Sequence, residues 1–179
     1  MPYHPLAIAN YFLDCAESRG EKLSPTKLQK LVYYAHGWYL ALTGEPLLDE
    51  PIKGWLYGPV VNSIYREFRR FGTGDITTRA TVPVMTLGDN GSSHHEVQVT
   101  NIDDFSTTDQ SVKLFLDRIW EIYGRYTGSR LSNQTHEPGT PWSEVAARYP
   151  GGVPRRVIIP DDRIEEYFRS HLVTEAVNP

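Results

Sequence analysis

The N-terminal stretch of the chain places its apolar side chains at the spacing of an amphipathic helix. Between about His4 and Arg19, Ile8, Phe12 and Cys15 recur about every three to four positions, which puts them on one face of a helix. We therefore predict a first helix here, with Cys15 on its buried side. Because burial raises the pKa of a thiol, Cys15 is expected to be unreactive.

The second predicted helix is the most strongly apolar element of the sequence. Ser24 is a favourable N-cap, Pro25 is a favourable first helical residue, and Gly44 follows the end of the pattern. Its apolar residues lie on most faces rather than along one stripe, and a helix of that kind needs neighbours around it. The pattern therefore predicts a central helix. The residues at helical spacing are Leu28, Leu31, Val32, Ala35, Trp38, Tyr39 and Leu42.

Weaker helical patterns and one stretch of different character make up the rest of the chain. A short extended segment is expected at 52–57. Residues 73–108 are dominated by Gly, Ser, Thr, Asp and Asn, with β-type runs at 81–86 and 96–100. Further helices are predicted to begin at or near Pro59, Asp109, Ser129, Pro141 and Pro160.

These patterns together define the expected fold. We predict a mainly α (α+β) architecture, in which a compact bundle of about six or seven helices surrounds the central aromatic-rich helix. A small β-arm is expected in the middle of the sequence. We interpret residues 1–179 as a single domain with a variable insertion at about 73–108.

Composition narrows the classes of protein. The 179 residues carry 18 Lys and Arg against 22 Asp and Glu, for a net charge of −4, which disfavours nucleic acid and would suit a basic protein partner. The single cysteine excludes an intramolecular disulfide and a multi-cysteine zinc site. No apolar run approaches the roughly 18 to 20 residues of a membrane span, so we expect a cytoplasmic location and no membrane partner.

Motifs of common catalytic sites are missing from the sequence. It lacks the GxxxxGK[ST], GxGxxG, GxSxG and HExxH patterns. No nucleophile lies beside a general base that a motif would identify, so we expect no enzyme activity, no cofactor and no bound metal. A small enzyme using His136 with Glu137 is a less favoured alternative. His36 is interpreted as a hydrogen-bonded histidine of the core or its boundary.

Aromatic side chains are concentrated in and after the central helix. Tyr, Trp and Arg dominate interface hot spots, so some of these rings, together with Arg66, Arg69 and Arg70, are candidates for contact with a partner. A large aromatic core explains the same residues, and the sequence alone leaves both interpretations open. The rings are Tyr33, Tyr34, Trp38, Tyr39, Trp55, Tyr57, Tyr65 and Trp142.

Three stretches carry a family resemblance. Residues 27–44 read KLQKLVYYAHGWYLALTG, residues 55–61 read WLYGPVV, and residues 64–68 read IYREF. This series resembles the SocA-like antitoxins, also called Panacea-domain proteins or GepA-type phage-associated proteins. Weaker matches follow at Thr135-His136, at Pro141-Trp142 and at 164–168.

The resemblance varies along the chain. The match is close over residues 5–72, extends only to the overall pattern over about 109–172, and is poor over 73–108. The variable stretch is therefore expected to set which partner fits, since loops carry specificity on a fixed scaffold.

The resemblance implies an antitoxin of a bacterial or phage toxin–antitoxin pair. Its partner would be a cognate protein toxin, neutralised by direct binding, and the SocA branch further implies delivery of the toxin to a ClpXP-type protease. A homo-oligomer is left open. The family-motif residues that we expect nearest the surface, and therefore in contact with the partner, are Trp55, Tyr57, Arg66, Arg69, His136 and Trp142.

A DNA-binding transcriptional regulator is the main alternative. Lys27 and Lys30 lie on a capped helix after a short turn, which superficially resembles a helix-turn-helix. The helix is too apolar to lie in a major groove, and phosphate contacts need more cations. We therefore favour a binding module for another protein.

Overall fold

The computed structural model describes the backbone of residues 2–87, 93–99 and 110–177. Within these ranges the chain forms seven α-helices and two antiparallel sheets of two strands each, which confirms the mainly α prediction with a small β-arm. In chain order the elements are α1 (Pro5–Glu17), α2 (Pro25–Thr43), β1 (Lys53–Trp55), β2 (Gly58–Val60), α3 (Asn62–Phe68), β3 (Thr81–Leu87), β4 (Ser93–Val99), α4 (Gln110–Tyr123), α5 (Gly128–Thr135), α6 (Pro141–Ala146) and α7 (Asp161–Val177).

Helix α2 is the centre of the fold, as its apolar pattern predicts. The Ser24 hydroxyl accepts a hydrogen bond from the Lys27 amide at 3.3 Å, Pro25 is the first helical residue, and Gly44 ends the helix in a left-handed conformation. Most of α2 is buried, and it packs against α1, α3, α4, α5, α7 and β2.

The contact between α2 and α7 is unusually close. A Cβ atom at Gly37 would collide with the ring of Phe168, so the backbone of α2 approaches that ring directly. At the start of α7, the buried Nε2 of His36 lies 3.1 Å from Oδ1 of Asp161, the first residue of that helix. This confirms His36 as a hydrogen-bonded histidine of the core.

The aromatic cluster of α2 is largely core. Tyr33 and Tyr34 are buried, and the ring of Tyr34 stacks on that of Tyr123 from α4 with centroids 4.4 Å apart. The Trp38 indole donates a hydrogen bond to the Tyr123 hydroxyl at 2.7 Å. These rings therefore hold the bundle together, and the buried Tyr33 and Tyr34 are not available to a partner.

The segment after α2 forms a hairpin where the sequence pattern predicts a helix opening at Pro59. Pro59 instead pairs with Gly54 in the sheet of β1 and β2, and α3 begins at Asn62. The Gln29 side chain exchanges two hydrogen bonds of 2.9 Å with the backbone of Val61, which holds that residue in an extended conformation. Helix α3 starts at Asn62 rather than at Pro59 because the Gln29 side chain, from α2, pairs with the backbone of Val61 in its extended conformation.

The extended run near residue 158 lies against the other side of β1. The Gly54 amide donates to the Val157 carbonyl at 3.0 Å, and the Ile159 amide donates to the Ile52 carbonyl at 2.9 Å. These bonds anchor the hairpin to the segment before α7.

The middle of the chain carries the predicted β-arm. Strands β3 and β4 pair antiparallel from Thr81 opposite Val99 to Leu87 opposite Ser93. The Asn10 side chain of α1 exchanges hydrogen bonds with the backbone of Ala80, which fixes the start of the arm on the bundle. Asp109, near which a helix is predicted to begin, lies outside the described residues, and α4 is described from Gln110.

Cys15 lies on the buried side of α1, as predicted. Burial raises the pKa of its thiol to about 11, and the Asp117 carboxylate 3.7 Å away adds to the effect. None of the helices that the structure describes is both long and apolar enough to cross a membrane. Over the same part of the chain, no group of three or more His, Cys, Asp or Glu side chains is placed to hold a metal ion.

Candidate protein-binding site

The turn between β1 and β2 presents two large apolar side chains to solvent. Leu56 is 60% exposed and Tyr57 is 78% exposed, and together they form what we call the hairpin tip. Exposed apolar side chains are common singly, but two adjacent ones on a fixed turn make a candidate contact surface.

A buried lysine holds the hairpin from below. Lys30 of α2 is 2% exposed, and its amine donates to the carbonyls of Tyr57 at 3.0 Å and Pro59 at 3.1 Å. Burial lowers the pKa of Lys30 to about 7, since no carboxylate in the described part of the chain pairs with it. The hydroxyl of Ser132 donates a further bond of 3.2 Å to the Tyr57 carbonyl.

Gly58 allows this close approach. Its φ of 104° is a conformation that other residues rarely adopt, and a Cβ there would lie 2.5 Å from the Lys30 amine. The glycine therefore serves both the turn and the lysine below it.

Trp142 and His136 support the hairpin from its side. The Trp142 indole donates to the Trp55 carbonyl at 2.6 Å, and the His136 ring packs on Trp142 with centroids 4.0 Å apart. Nδ1 of His136 lies 2.7 Å from the Ser132 carbonyl oxygen, and Nε2 lies 3.4 Å from the Leu56 carbonyl oxygen. Because both face backbone oxygens, the ring has the surroundings of a structural histidine rather than of a catalytic base.

Beside the hairpin lies a groove of about 330 Å³, which we call the Trp55 groove. Trp55 and Tyr65 form an edge-to-face pair with centroids 4.7 Å apart. The Arg155 guanidinium lies 4.5 Å above the Trp55 ring, and the Trp55 indole donates to the Arg155 carbonyl at 2.9 Å. The other residues that line the groove include Gln29, Lys30, Tyr57, Ile64 and Arg69.

The six residues predicted to contact a partner divide into two groups. Tyr57, Arg66 and Arg69 are exposed, and Arg69 lines the groove while Arg66 does not. The other three are half-buried, and their polar atoms are engaged in hydrogen bonds within the chain. They therefore position the hairpin tip. These three are Trp55, His136 and Trp142.

Sequence reasoning missed four residues of this site. Leu56 stands inside the family motif, and its place in a two-residue turn was the available signal. Tyr65 was among the candidate rings but not among the six predicted contact residues, and it is half-buried against Trp55. Lys30 was weighed as a phosphate contact, and Arg155 carries no signal in the sequence.

The two lysines that suggested a DNA-binding helix both serve the fold. Lys30 is buried under the hairpin, and the Lys27 amine donates to the Gly124 carbonyl at 2.5 Å. Burial also lowers the pKa of Lys27. Neither side chain projects as a phosphate contact would.

Comparisons with known proteins identify the family of the chain. The family model described as "Antitoxin SocA-like, Panacea domain" matches residues 28–143, a range that includes Lys30, the hairpin and all six predicted contact residues. This chain belongs to the SocA-like antitoxin family. It is 32% identical over 176 residues to Antitoxin SocA of Caulobacter vibrioides (strain NA1000 / CB15N), covering 97% of this chain and 86% of that protein. No solved structure matches it. Membership of this family supports an antitoxin role.

Proposed function

We propose that this chain is a cytoplasmic antitoxin that binds a cognate protein toxin directly, with the hairpin tip and the Trp55 groove as the contact surface. The observation that carries the proposal is the exposed pair Leu56 and Tyr57, held by hydrogen bonds to the carbonyls of Trp55, Tyr57 and Pro59. A surface fixed before binding loses little conformational entropy on complex formation.

The composition of the surface fits a protein partner. Tyr, Trp and Arg are enriched at hot spots, and the surface combines Tyr57, Tyr65 and Trp55 with Arg69. A specific interface buries roughly 800 Å² on each partner, so the hairpin tip would be its centre rather than its whole extent.

Two modes of neutralisation are compatible with such a surface. In the steric mode, the bound antitoxin covers the working surface of the toxin. In the adaptor mode, which the SocA resemblance implies, it delivers the toxin to a ClpXP-type protease. We favour the steric mode as the minimal mechanism, and it predicts neutralisation in cells that lack the protease.

Tyr57 is the best single probe of this surface. The Trp55 indole is engaged in the fold, whereas the Tyr57 side chain is 78% exposed and its removal leaves the backbone bonds of the hairpin intact. We expect Tyr57→Ala to raise the Kd for the toxin by about 30-fold, the effect of a hot spot of about 2 kcal/mol. The melting temperature should be unchanged. The measurement is titration calorimetry with the product of an adjacent reading frame that stops growth when expressed alone.

Tyr149→Ala is the matched control, since Tyr149 is an exposed tyrosine outside the hairpin and the groove. It should bind and neutralise as the wild type does. The proposal fails if the wild-type chain does not restore growth, or if Tyr57→Ala binds no more weakly than Tyr149→Ala. Growth rescue that disappears in a protease-deficient strain would replace the steric mode by the adaptor mode.

A further inference from the structure

Three cationic side chains surround the Trp55 groove without carboxylate partners. Lys30 and Arg69 line it, and Arg155 stacks on the Trp55 ring. None of the three forms an ion pair within the described part of the chain. The arrangement differs from that of several other cations, which have Asp or Glu within 4 Å: Arg70, Arg79, Arg118, Arg163 and Arg169.

The lysine in the groove also has unused hydrogen-bonding capacity. A protonated amine has three N–H donors, and Lys30 has two acceptors among the described residues, the carbonyls of Tyr57 and Pro59. A buried ammonium without a counter-charge is costly, so a carboxylate bound at Arg69 in the same groove would also lower the cost of the protonated form of Lys30. The cations that line the groove have no carboxylate partner among the described residues.

The walls of the groove are suited to an apolar side chain. Trp55 and Tyr65 present their rings, and Val60 and Ile64 complete an apolar lining. A volume of about 330 Å³ lies at the lower end of the range for ligand pockets, which suits one large side chain better than an extended molecule. Tyr57 belongs both to this lining and to the hairpin tip, so one partner segment can contact both.

We infer that the Trp55 groove binds an acidic, apolar segment of the toxin, in which a large apolar side chain packs into the groove against Trp55 and Tyr65 and a neighbouring carboxylate pairs with the exposed Arg69. The inference rests on the proposed function and specifies the chemistry of the partner. The net charge of −4 would by itself favour a basic partner. The local charge of the groove is the opposite, and recognition at close range follows the local charge.

Charge reversal at Arg69 tests the inference with the toxin. Arg69→Glu is expected to raise the Kd by about 100-fold, since it replaces an attraction by a repulsion, whereas Arg69→Lys should stay within about threefold. Arg70→Glu is the matched control, because Arg70 is the adjacent exposed arginine but pairs with Glu67 and Thr78 outside the groove. It should bind as the wild type does.

A suppressor selection identifies the partner residue. Toxin variants that Arg69→Glu can again neutralise should carry Asp or Glu replaced by Lys or Arg. The inference is overturned if Arg69→Glu and Arg70→Glu bind equally well, or if the suppressors avoid acidic residues. In both cases the wild-type chain still neutralises, so the proposed antitoxin function stands.

A peptide titration tests the groove without any toxin. The probes are acetyl-Phe-Asp-Glu-amide, its neutral match acetyl-Phe-Asn-Gln-amide, and an eight-nucleotide oligothymidylate. The acidic peptide should shift the NMR signal of the Trp55 indole N–H in a saturable way and bind at least about tenfold more tightly than the neutral one. Arg69→Glu should abolish the difference. Equal or absent shifts with the two peptides would refute the inference, and a shift with the oligonucleotide alone would assign the groove to nucleic acid.

Discussion

Lys30 is the residue on which the geometry of the hairpin depends most. Its amine is buried, and it donates to two backbone carbonyls that lie 27 and 29 positions away in the sequence. Because a neutral amine still has two N–H donors, both bonds can persist when Lys30 loses its proton. The lysine therefore contributes hydrogen bonds to the hairpin while its charged form opposes folding.

This opposition predicts an unusual pH dependence of stability. Burial lowers the pKa of Lys30 to about 7 in the folded chain, whereas an unfolded lysine titrates near its ordinary value of 10.5. Between these values the unfolded chain holds more protons, so the free energy of unfolding rises with pH, approaching about 1.4 kcal/mol per pH unit. Urea unfolding between pH 7 and 8.5 measures the slope, and in Lys30→Met it should be nearly flat.

The upper limit of pH 8.5 keeps the measurement below the range in which the Cys15 thiol opposes the effect of Lys30 on stability. Burial raises the pKa of Cys15 from 9.0 to about 11, so its contribution is lost as the pH rises above 9. A wild-type slope no steeper than that of Lys30→Met would contradict the account of Lys30. If Lys30→Met does not fold, a flat wild-type profile has the same meaning.

The sequence predicts some residues of the site and not others. The surface position of Tyr57, Arg66 and Arg69 follows from the polar and aromatic pattern around them, and the structure finds all three exposed. The role of Lys30 could not be predicted, because its partners are carbonyls of another element. The stacking of Arg155 on Trp55 could not be predicted either, since it joins residues 100 positions apart.

The packing of α2 against α7 is the element-scale feature that maintains the bundle. Gly37 lets the backbone of α2 meet the Phe168 ring, and Phe168 also makes edge-to-face contacts with Tyr33 and Trp38. A side chain at Gly37 would force the two helices apart. The glycine is thus required by the contact, even though glycine is a poor helix former.

Gly37→Ala tests this contact. In a solvated helix the change would stabilise by about 1 kcal/mol, but overpacking against Phe168 should reverse the sign and lower the free energy of unfolding by about 2 kcal/mol. Urea unfolding followed by circular dichroism measures the difference. In a Phe168→Leu background the same substitution should cost less, because the smaller side chain leaves room. An increase in stability in the wild-type background would contradict the close approach.

The elements themselves differ in how far the sequence predicts them. Helices α1, α2 and α5 to α7 follow from apolar spacing, N-caps and prolines, and their observed starts agree with the predicted ones to within about one residue. The predicted start of α3 at Pro59 was wrong, because a proline is equally suited to a first helical turn and to an edge strand. Gln29, which decides between them, comes from a different helix.

At the scale of the whole molecule, net charge and local charge differ in sign. The chain carries an excess of acids, yet its most distinctive surface combines exposed aromatic and apolar side chains with Lys30, Arg69 and Arg155. Composition alone therefore predicts a basic partner, whereas the local charge of the groove predicts an acidic partner segment. The family resemblance gave the class of protein, and the fold was needed to locate the surface.

Site-specific photo-crosslinking tests the central claim most directly. A benzoylphenylalanine residue is placed at Tyr57 in one variant and at the exposed Tyr149 in another, and each is irradiated in complex with the toxin. Such groups react with neighbours a few ångströms away, so we predict a covalent antitoxin–toxin adduct from position 57 and none from position 149. An adduct from position 149 alone, with none from position 57, would place the toxin elsewhere and contradict the account.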